Sequence, residues 1–195
     1  NLAYIYLTKA KDLKFSAIMF AGLFFAMLGD IILEIEFIVG AALFAVGHIL
    51  FFFAYCNLYD FGLKDLIFGA IIFVPAVLFI TLAPIFNFGE TLMEIVCVVY
   101  AIIISVMVGK SIANLIKERN LKNVLILIGS ILFFFSDLML LLNIFASLGK
   151  ITGILCLATY YPAECLLALS IFSQRKNNLN EINNNEEKVE VKVND

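Results

Sequence analysis

The sequence predicts an all-α membrane protein, a polytopic bundle of six transmembrane helices. Hydrophobic residues make up 63% of the 195 residues and charged residues only 15%, whereas soluble domains are typically about 45 to 50% apolar. The apolar residues fall into runs of about 20, the length at which a helix crosses a hydrocarbon core of about 30 Å. Because a spanning segment must satisfy its backbone internally and no barrel-like alternation is present, each run is predicted to be a helix.

Taken in chain order, the spans are predicted at residues 15–35, 37–58, 65–84, 90–113, 123–146 and 151–173. Pro75 in the third span and Pro162 in the sixth each remove one backbone hydrogen bond, so a bend is expected at both places. Residues 1–173 form a single helical domain in this interpretation. The polar, Asn-rich segment 174–195 is predicted to be a disordered cytoplasmic tail.

The positive charges predict an orientation in the membrane. With the N-terminus inside, all of the 13 lysines and arginines except Lys150 lie in inside segments. Cytoplasmic loops carry the excess of such residues, so both termini of this chain are predicted to be cytoplasmic. The Asn, Lys, Ile and Phe richness favours a bacterial cell inner membrane, and the absence of a basic patch with interleaved aromatics argues against a nucleic-acid partner.

Metal and cofactor chemistry finds little support in the sequence. His48 is the only histidine, which excludes a site with several histidine ligands within this chain and leaves open only a carboxylate-rich one. The four cysteines lie in apolar runs without ligand-like spacing and are interpreted as reduced core residues: Cys56, Cys97, Cys156 and Cys165. No metal and no cofactor is therefore predicted, and the oligomeric state is left open.

Two carboxylates lie deep inside apolar runs. Asp30 ends the motif GLFFAMLGD, which starts at Gly22, and Asp137 ends the motif GSILFFFSD, which starts at Gly129. An ionisable residue at membrane depth costs roughly 2.5 to 3.5 kcal/mol on insertion scales, so such groups usually face the protein interior and are usually functional. The structural alternative is that each aspartate only hydrogen-bonds a neighbouring Ser, Tyr or backbone carbonyl.

The two motifs extend to a possible internal repeat. Gly40–His48 aligns with Gly153–Tyr161, so each aspartate motif is followed by a matching second helix. A parallel repeat of this kind tends to place a site at the repeat interface. If the repeat unit is four helices, the first unit lacks two, and the chain is expected to be an N-terminally incomplete member of an eight-helix family.

Depth estimates from helical rise bring several polar side chains into one layer. Asp30 and Asp137 lie at similar depths, and His48 and Tyr160 reach the same layer from the other side, with Glu164 one turn beyond Tyr160. Two carboxylates held close in a low dielectric share one proton, which provides a general acid and a general base at neutral pH. That arrangement suits hydrolysis that begins with protonation and ends with activation of water.

Other polar residues are weaker candidates for binding a substrate. Ser136 is interpreted as a packing residue more readily than as a nucleophile, because no base lies beside it in sequence. Glu34 lies one turn beyond Asp30 and either lines the outer mouth of the site or marks the interface. Tyr161 belongs to the Tyr-rich segment of the sixth span, and Tyr100 is interpreted as a buried aromatic residue.

The order of these motifs resembles the YhhN family of membrane proteins, whose members include the lysoplasmalogenases. The resemblance covers residues 9–173 and depends on LFFAMLGDIIL, GAALFAVGHILFFFAY, GSILFFFSDLMLLLNIF and ATYYPAECLLAL. It differs from the family in two places: a Lys-Pro motif on earlier helices is mostly absent, and Glu164 stands where the family usually has Gln.

The resemblance implies a hydrolase that cleaves the vinyl ether bond of lysoplasmalogens to a fatty aldehyde and a glycerophospho-ethanolamine or glycerophospho-choline. Asp30, Asp137 and His48 take the family's catalytic positions, and the substrate partner is a lysophospholipid within the membrane lipid. An aspartyl intramembrane protease is disfavoured, since Met27 replaces the first Gly of its GxGD motif. The alternative is a small proton-coupled transporter or lipid-binding protein that uses the same two aspartates.

Overall fold

A computed structural model describes the backbone of residues 13–146 and 148–193 and, in the last helix, side chains up to Ile171. In that part of the chain it contains six α-helices and no strand. They are α1 Leu13–Leu33, α2 Phe37–Leu58, α3 Leu63–Leu82, α4 Thr91–Lys117, α5 Leu121–Phe145 and α6 Lys150–Val193.

Each helix carries a run long and apolar enough to cross a membrane. The predicted all-α class and the six spans are confirmed, and these helices indicate an integral membrane protein. Most observed ends lie close to the predicted ones, but α4 continues to Lys117 instead of ending at residue 113.

Helix α6 continues beyond its membrane-spanning part. The apolar run ends at Ile171, and the backbone is helical to Val193. The prediction of a disordered tail over 174–195 falls on residues whose side chains lie outside the described part, and the domain boundary at residue 173 stays a prediction.

Polar side chains at the loops fix where several helices begin. The Glu36 carboxylate accepts a hydrogen bond from the Val39 amide at 2.7 Å, and the Asn120 side chain accepts one from the Asn123 amide at 2.8 Å. The first amides of a helix have no hydrogen-bond acceptor within the helix, and lipid chains offer none. Such caps supply the missing acceptor. These residues explain why α2 and α5 start soon after their loops.

Five helices form a ring in the order α1, α2, α4, α5, α6, which closes through a small contact between α6 and α1. Helix α3 lies outside the ring and packs on α4 alone. The interior of the ring is filled by a continuous apolar core that includes Phe15, Phe51, Met107, Phe133 and Leu167. Polar side chains that reach this interior are therefore held between several helices.

Glycine lets α3 and α4 approach closely. A Cβ atom on Gly109 would lie 2.3 Å from the Gly69 nitrogen and 2.8 Å from the Asp65 carbonyl oxygen. Helices in membranes associate through close van der Waals packing, for which small residues at the crossing are required. This crossing holds α3 against the ring.

The glycines of the two aspartate motifs have matching contacts. A Cβ atom on Gly22 would lie 2.5 Å from the Phe51 ring, and one on Gly129 would lie 2.9 Å from Leu167. Each motif thus places its helix tightly against the next helix along the chain. The internal repeat itself stays a prediction.

The α2–α3 and α4–α5 loops lie at one end of the bundle, here called the inner end, where a lysine is buried. Lys110 and Asp65 form an ion pair with Nζ to Oδ2 at 3.2 Å. The same ammonium donates to the Asp60 carbonyl at 2.9 Å, and Asp65 also accepts from the Gly62 amide at 2.6 Å. The sequence analysis counted Lys110 among the inside charges, and the structure places it near the inner end of α4, where it is only 1% exposed. Because both charges have further hydrogen bonds, their burial is compensated.

A second tie at the inner end joins the two loops. The Tyr59 hydroxyl donates to the Glu118 carboxylate, and this bond lowers the pKa of Glu118, while burial raises the pKa of Tyr59. The Lys117 ammonium lies 4.9 Å from the centre of the Tyr59 ring, a distance at which cation and ring attract. Asn123 also donates to the Glu118 carbonyl at 2.8 Å.

Candidate active site

The interior of the ring holds a triangle of three polar groups from α2, α4 and α5. The Tyr100 hydroxyl donates to Asp137 Oδ2 at 2.7 Å, and His48 Nε2 lies 3.0 Å from the same oxygen. His48 Nε2 and the Tyr100 hydroxyl are themselves 2.8 Å apart. Side chains from α2 and α4 thus converge on one carboxylate oxygen of α5.

The surroundings of His48 favour one position for its ring proton. Its Nδ1 is buried and has no hydrogen-bond partner in the described part of the chain. A proton on Nδ1 would leave a buried donor unpaired, whereas a proton on Nε2 lies towards Asp137 Oδ2. His48 is therefore assigned as a donor to Asp137 through Nε2.

Aromatic rings fix the orientation of the histidine. The His48 ring lies edge-on to Phe133 with centroids 4.7 Å apart and to Tyr100 at 5.5 Å. Phe51 lies 6.1 Å away on a further side. With no exposed surface on His48, the donor to Asp137 is held in place before any ligand arrives, which is the preorganisation that catalytic sites require.

A second polar cluster joins α1 and α6. The Tyr160 hydroxyl lies 2.8 Å from Asp30 Oδ2 and 2.9 Å from Glu164 Oε1. Tyr160 is buried at 4% exposure, and both carboxyl groups are half-buried. Residues 130 positions apart are thus tied together at the place where the ring of helices closes.

Two phenylalanines separate the clusters. The Phe133 ring contacts His48 on one side and Tyr160 on the other, with a centroid distance of 5.2 Å to Tyr160, and Phe44 lies 6.0 Å from Tyr160. Within the described residues, each aspartate hydrogen-bonds its own partners and not the other aspartate. The two carboxyl groups are still near enough for their charges to repel.

An apolar slot borders the first cluster. It lies between α2, α3, α4 and α5, and Tyr100 and Asp137 supply the hydroxyl and the carboxyl group of its wall. The cavity has a volume of about 80 Å³. An apolar space of this kind suits a hydrocarbon chain. Its apolar wall includes Leu33, Phe37, Phe44, Ile80, Cys97 and Leu141.

Comparison with known proteins identifies a family for this chain. Residues 1–171 match the sequence profile of the YhhN family. The chain belongs to the YhhN family. No curated protein and no solved structure matches it.

Three predicted site residues of this YhhN chain lie away from both clusters. Ser136 is buried and donates to the Cys156 carbonyl at 3.0 Å, so it ties α5 to α6. Tyr161 is 57% exposed, because consecutive helical residues point about 100° apart and Tyr160 already faces inward. Glu34 is exposed just beyond the end of α1. None of the three is joined to Asp30 or Asp137 by a hydrogen bond in the described structure.

Tyr100 is the site residue that the sequence did not single out. It was interpreted only as a buried aromatic, yet it binds both Asp137 and His48. One signal was available: Tyr100 is nine residues into α4, about 14 Å along the helix, which is close to the depth of His48 on α2. The sequence does not show which face of the apolar helix α4 turns towards the protein interior, and Tyr100 was missed for that reason.

Metal ligation finds no support in the YhhN geometry. Among the residues that the structure describes, no three His, Cys, Asp or Glu side chains come together as a metal site would need.

Proposed function

We propose that this YhhN protein hydrolyses the vinyl ether bond of lysoplasmalogens, giving a fatty aldehyde and a glycerophospho-ethanolamine or glycerophospho-choline. Family membership and the resemblance of its motifs to lysoplasmalogenases support the proposal. The observation that carries it is the placement of Asp137, which receives two oriented donors and borders an apolar slot. A charged group next to a hydrocarbon-lined space is what a lipid ether hydrolase needs.

The first step of the proposed reaction is protonation of carbon. A carboxylic acid transfers its proton to the vinyl carbon remote from the ether oxygen, and the electrons of the double bond form the new C–H bond. The cation that results is shared between the adjacent carbon and the oxygen. An ionised Asp137 would stabilise this cation, and stabilisation of charge in a site without water is usually the largest catalytic contribution.

The second step is capture by water. Asp137 accepts a proton as a water oxygen bonds to the cationic carbon, which produces a hemiacetal. The bond to the glycerol oxygen then breaks as that oxygen takes the proton from Asp137 and the hemiacetal hydroxyl loses its own proton to water, and the aldehyde leaves. In this scheme Asp30 is the acid. It does not line the slot, so the vinyl carbon would lie beside Phe44, which lines the slot and packs on Tyr160, the partner of Asp30. Asp30 regains a proton through water from the hemiacetal hydroxyl.

The slot gives the proposed substrate a position. Its apolar wall would bind the alkenyl chain, and the reacting ether would lie where the wall carries Asp137 and Tyr100. Burial of each methylene group contributes about 0.8 kcal/mol, so a long chain would anchor the substrate. The head group would remain at the membrane surface.

The decisive experiment is aldehyde release from a lysoplasmalogen by the purified protein in detergent. A lysophospholipid with an ester in place of the vinyl ether is the matched control substrate. We expect aldehyde from the first only, and loss of at least about 100-fold in Asp137→Asn, since a general base typically contributes 10² to 10⁴. Failure of the wild-type protein to release aldehyde, or full activity in Asp137→Asn, would overturn the proposal.

A second candidate function is proton-coupled transport. Two carboxyl clusters inside a helical ring favour it, because carboxylates at membrane depth also form proton relays. The same protein in liposomes would then take up a lipid or other solute only under a pH gradient, without releasing aldehyde.

A further inference from the structure

The cluster formed by Asp30, Tyr160 and Glu164 contains more hydrogen bonds than one phenol and two ionised carboxylates can form. The Tyr160 oxygen lies 2.8 Å from Asp30 Oδ2 and 2.9 Å from Glu164 Oε1. Each of these contacts needs a proton between its two oxygens, and an ionised carboxylate only accepts. The phenol supplies one proton. The second must therefore come from one of the two carboxyl groups.

No cation among the described residues replaces that second proton. The lysines with described side chains on the helices that pack here lie towards the helix ends; on α6, Lys150 precedes Glu164 by 14 positions, about 21 Å along the helix. The other two lysines of this set are Lys14 and Lys122. His48 is directed to Asp137, whose negative charge adds to the repulsion. The remaining titratable groups with described side chains on these helices are phenols and thiols, none of which supplies a cation: Tyr55, Cys56, Cys156, Tyr161 and Cys165.

We propose that Asp30 and Glu164 hold one proton between them across the Tyr160 hydroxyl at neutral pH. Two carboxylates held close in a low dielectric cannot both ionise at little cost, so the pair retains a proton that an isolated carboxylate would lose. Glu164 is then a positioning residue, because it acts through Asp30 by keeping it in the acid form. The shared proton stands on geometry alone; its use in catalysis rests on the proposed function.

The shared proton assigns different roles to the two aspartates. Asp137 receives hydrogen bonds from a phenol and an imidazole. Asp30 faces a second carboxyl group across one phenol, which favours its acid form. Pairs of carboxyl groups whose environments differ in this way divide into an acid and a base.

Infrared spectroscopy of the purified full-length protein in detergent at pH 7 tests the shared proton directly. A protonated carboxyl group has a carbonyl stretching band that is distinct from the bands of carboxylates and amides. We expect this band in the wild-type protein and its loss in both Glu164→Gln and Asp30→Asn. Either change supplies an amide donor to the Tyr160 oxygen, so that the remaining carboxyl group can ionise.

Two variants serve as controls for the band. Glu90→Gln is the same chemical change at an exposed position, and Asp137→Asn removes the carboxyl group of the other cluster; both should keep the band. Circular dichroism verifies that each variant remains helical. A wild-type protein without the band, a band that persists in Glu164→Gln, or a band that disappears only in Asp137→Asn would overturn the proposal.

Activity measured against pH tests the catalytic part. In Glu164→Gln, we expect aldehyde release at pH 7 to fall at least tenfold and to recover as the pH is lowered, because Asp30 regains its proton. Glu90→Gln should follow the wild-type profile. A fall that is the same at every pH would indicate a structural role and would refute the positioning role. If the band behaves as expected and no variant releases aldehyde, the shared proton stands and the proposed hydrolysis fails.

Discussion

At the scale of single residues, the two aspartates differ in what surrounds them and not in their sequence motifs. Both follow a glycine by eight positions in apolar runs, but Asp137 contacts an imidazole and a phenol, whereas Asp30 shares a phenol with Glu164. The sequence predicted one proton shared between Asp30 and Asp137. The structure instead gives each its own partners, because the contacts are made by residues on other helices.

Replacement of Tyr100 by Phe tests the donor that the sequence did not reveal. Tyr100→Phe removes one hydrogen bond to Asp137 and keeps the ring that packs on His48. A hydrogen bond to a charged group contributes roughly 1.5 to 3 kcal/mol, so kcat for aldehyde release should fall by about 10- to 150-fold. Tyr161→Phe, the same change on the exposed neighbour of Tyr160, should leave the rate within about twofold of wild type. Equal rates for the two variants would contradict the assigned role of Tyr100.

At the scale of helices, the sequence predicts where each helix lies along the chain but not how each helix is rotated about its own axis. The six spans follow from the length of the apolar runs, because a helix needs about 20 residues to cross the bilayer. The helices are apolar nearly all round, so no polar face indicates which side turns inward. Tyr160 and Tyr161 illustrate this: adjacent in sequence, one is buried and the other is 57% exposed.

The crossing of α3 and α4 predicts a strong effect of one methyl group. In Gly109→Ala the new Cβ atom would lie within 2.8 Å of backbone atoms of α3. Helices α3 and α4 must then move apart, which weakens the Lys110–Asp65 ion pair. Overpacking of this kind typically costs about 1 to 3 kcal/mol, so the midpoint of thermal unfolding in detergent should fall. Gly153→Ala is the matched control, since its Cβ atom would meet its nearest neighbour at an ordinary 3.5 Å. Similar midpoints for both variants would contradict the close crossing.

The tie between Tyr59 and Glu118 predicts a pH dependence of stability. The hydrogen bond from Tyr59 lowers the pKa of Glu118 below its ordinary value of 4.5. A carboxyl group with a lowered pKa in the folded state contributes stability that is present above the unfolded value and is lost as the pH falls through the folded value. Wild-type protein should therefore lose more thermal stability between pH 7 and pH 3 than Glu118→Gln does.

Thermal unfolding in detergent at both pH values measures this difference. Glu90→Gln removes an exposed carboxyl group at the other end of the bundle and should lose as much stability on acidification as wild type. An identical acid sensitivity in Glu118→Gln and wild type would show that the tie does not contribute.

At the scale of the whole molecule, the ring of helices creates a protein interior that the sequence only suggests. The sequence predicted that polar groups meet in one layer, but the order of helices around the ring depends on which surfaces pack. Small residues such as Gly22 and Gly129 set that packing, and their effect is visible only when the facing helix is known. The fold class was therefore accessible from composition, while the two separate clusters were not.

Orientation in the membrane is a prediction for the whole chain. If both ends of the chain are cytoplasmic, the α4–α5 loop lies inside and the α3–α4 loop outside. In a background with the native cysteines replaced, Glu90→Cys should react with a membrane-impermeant maleimide in intact cells. Arg119→Cys should react only after the membrane is opened. The reverse pattern would invert the proposed orientation.

The position of α3 has a consequence for how lipids reach the slot. This helix packs on α4 alone, yet Ala76 and Ile80 on it line the slot, so a single helix separates the slot from the surrounding bilayer. Pro75, next to Ala76, lacks the amide that would brace this part of α3. For a hydrolase, a lipid would then enter sideways from the leaflet, and a fatty aldehyde would return there while the water-soluble product leaves at the surface. The turnover rate would then depend on the fluidity and composition of the host membrane as well as on the chemistry at Asp137.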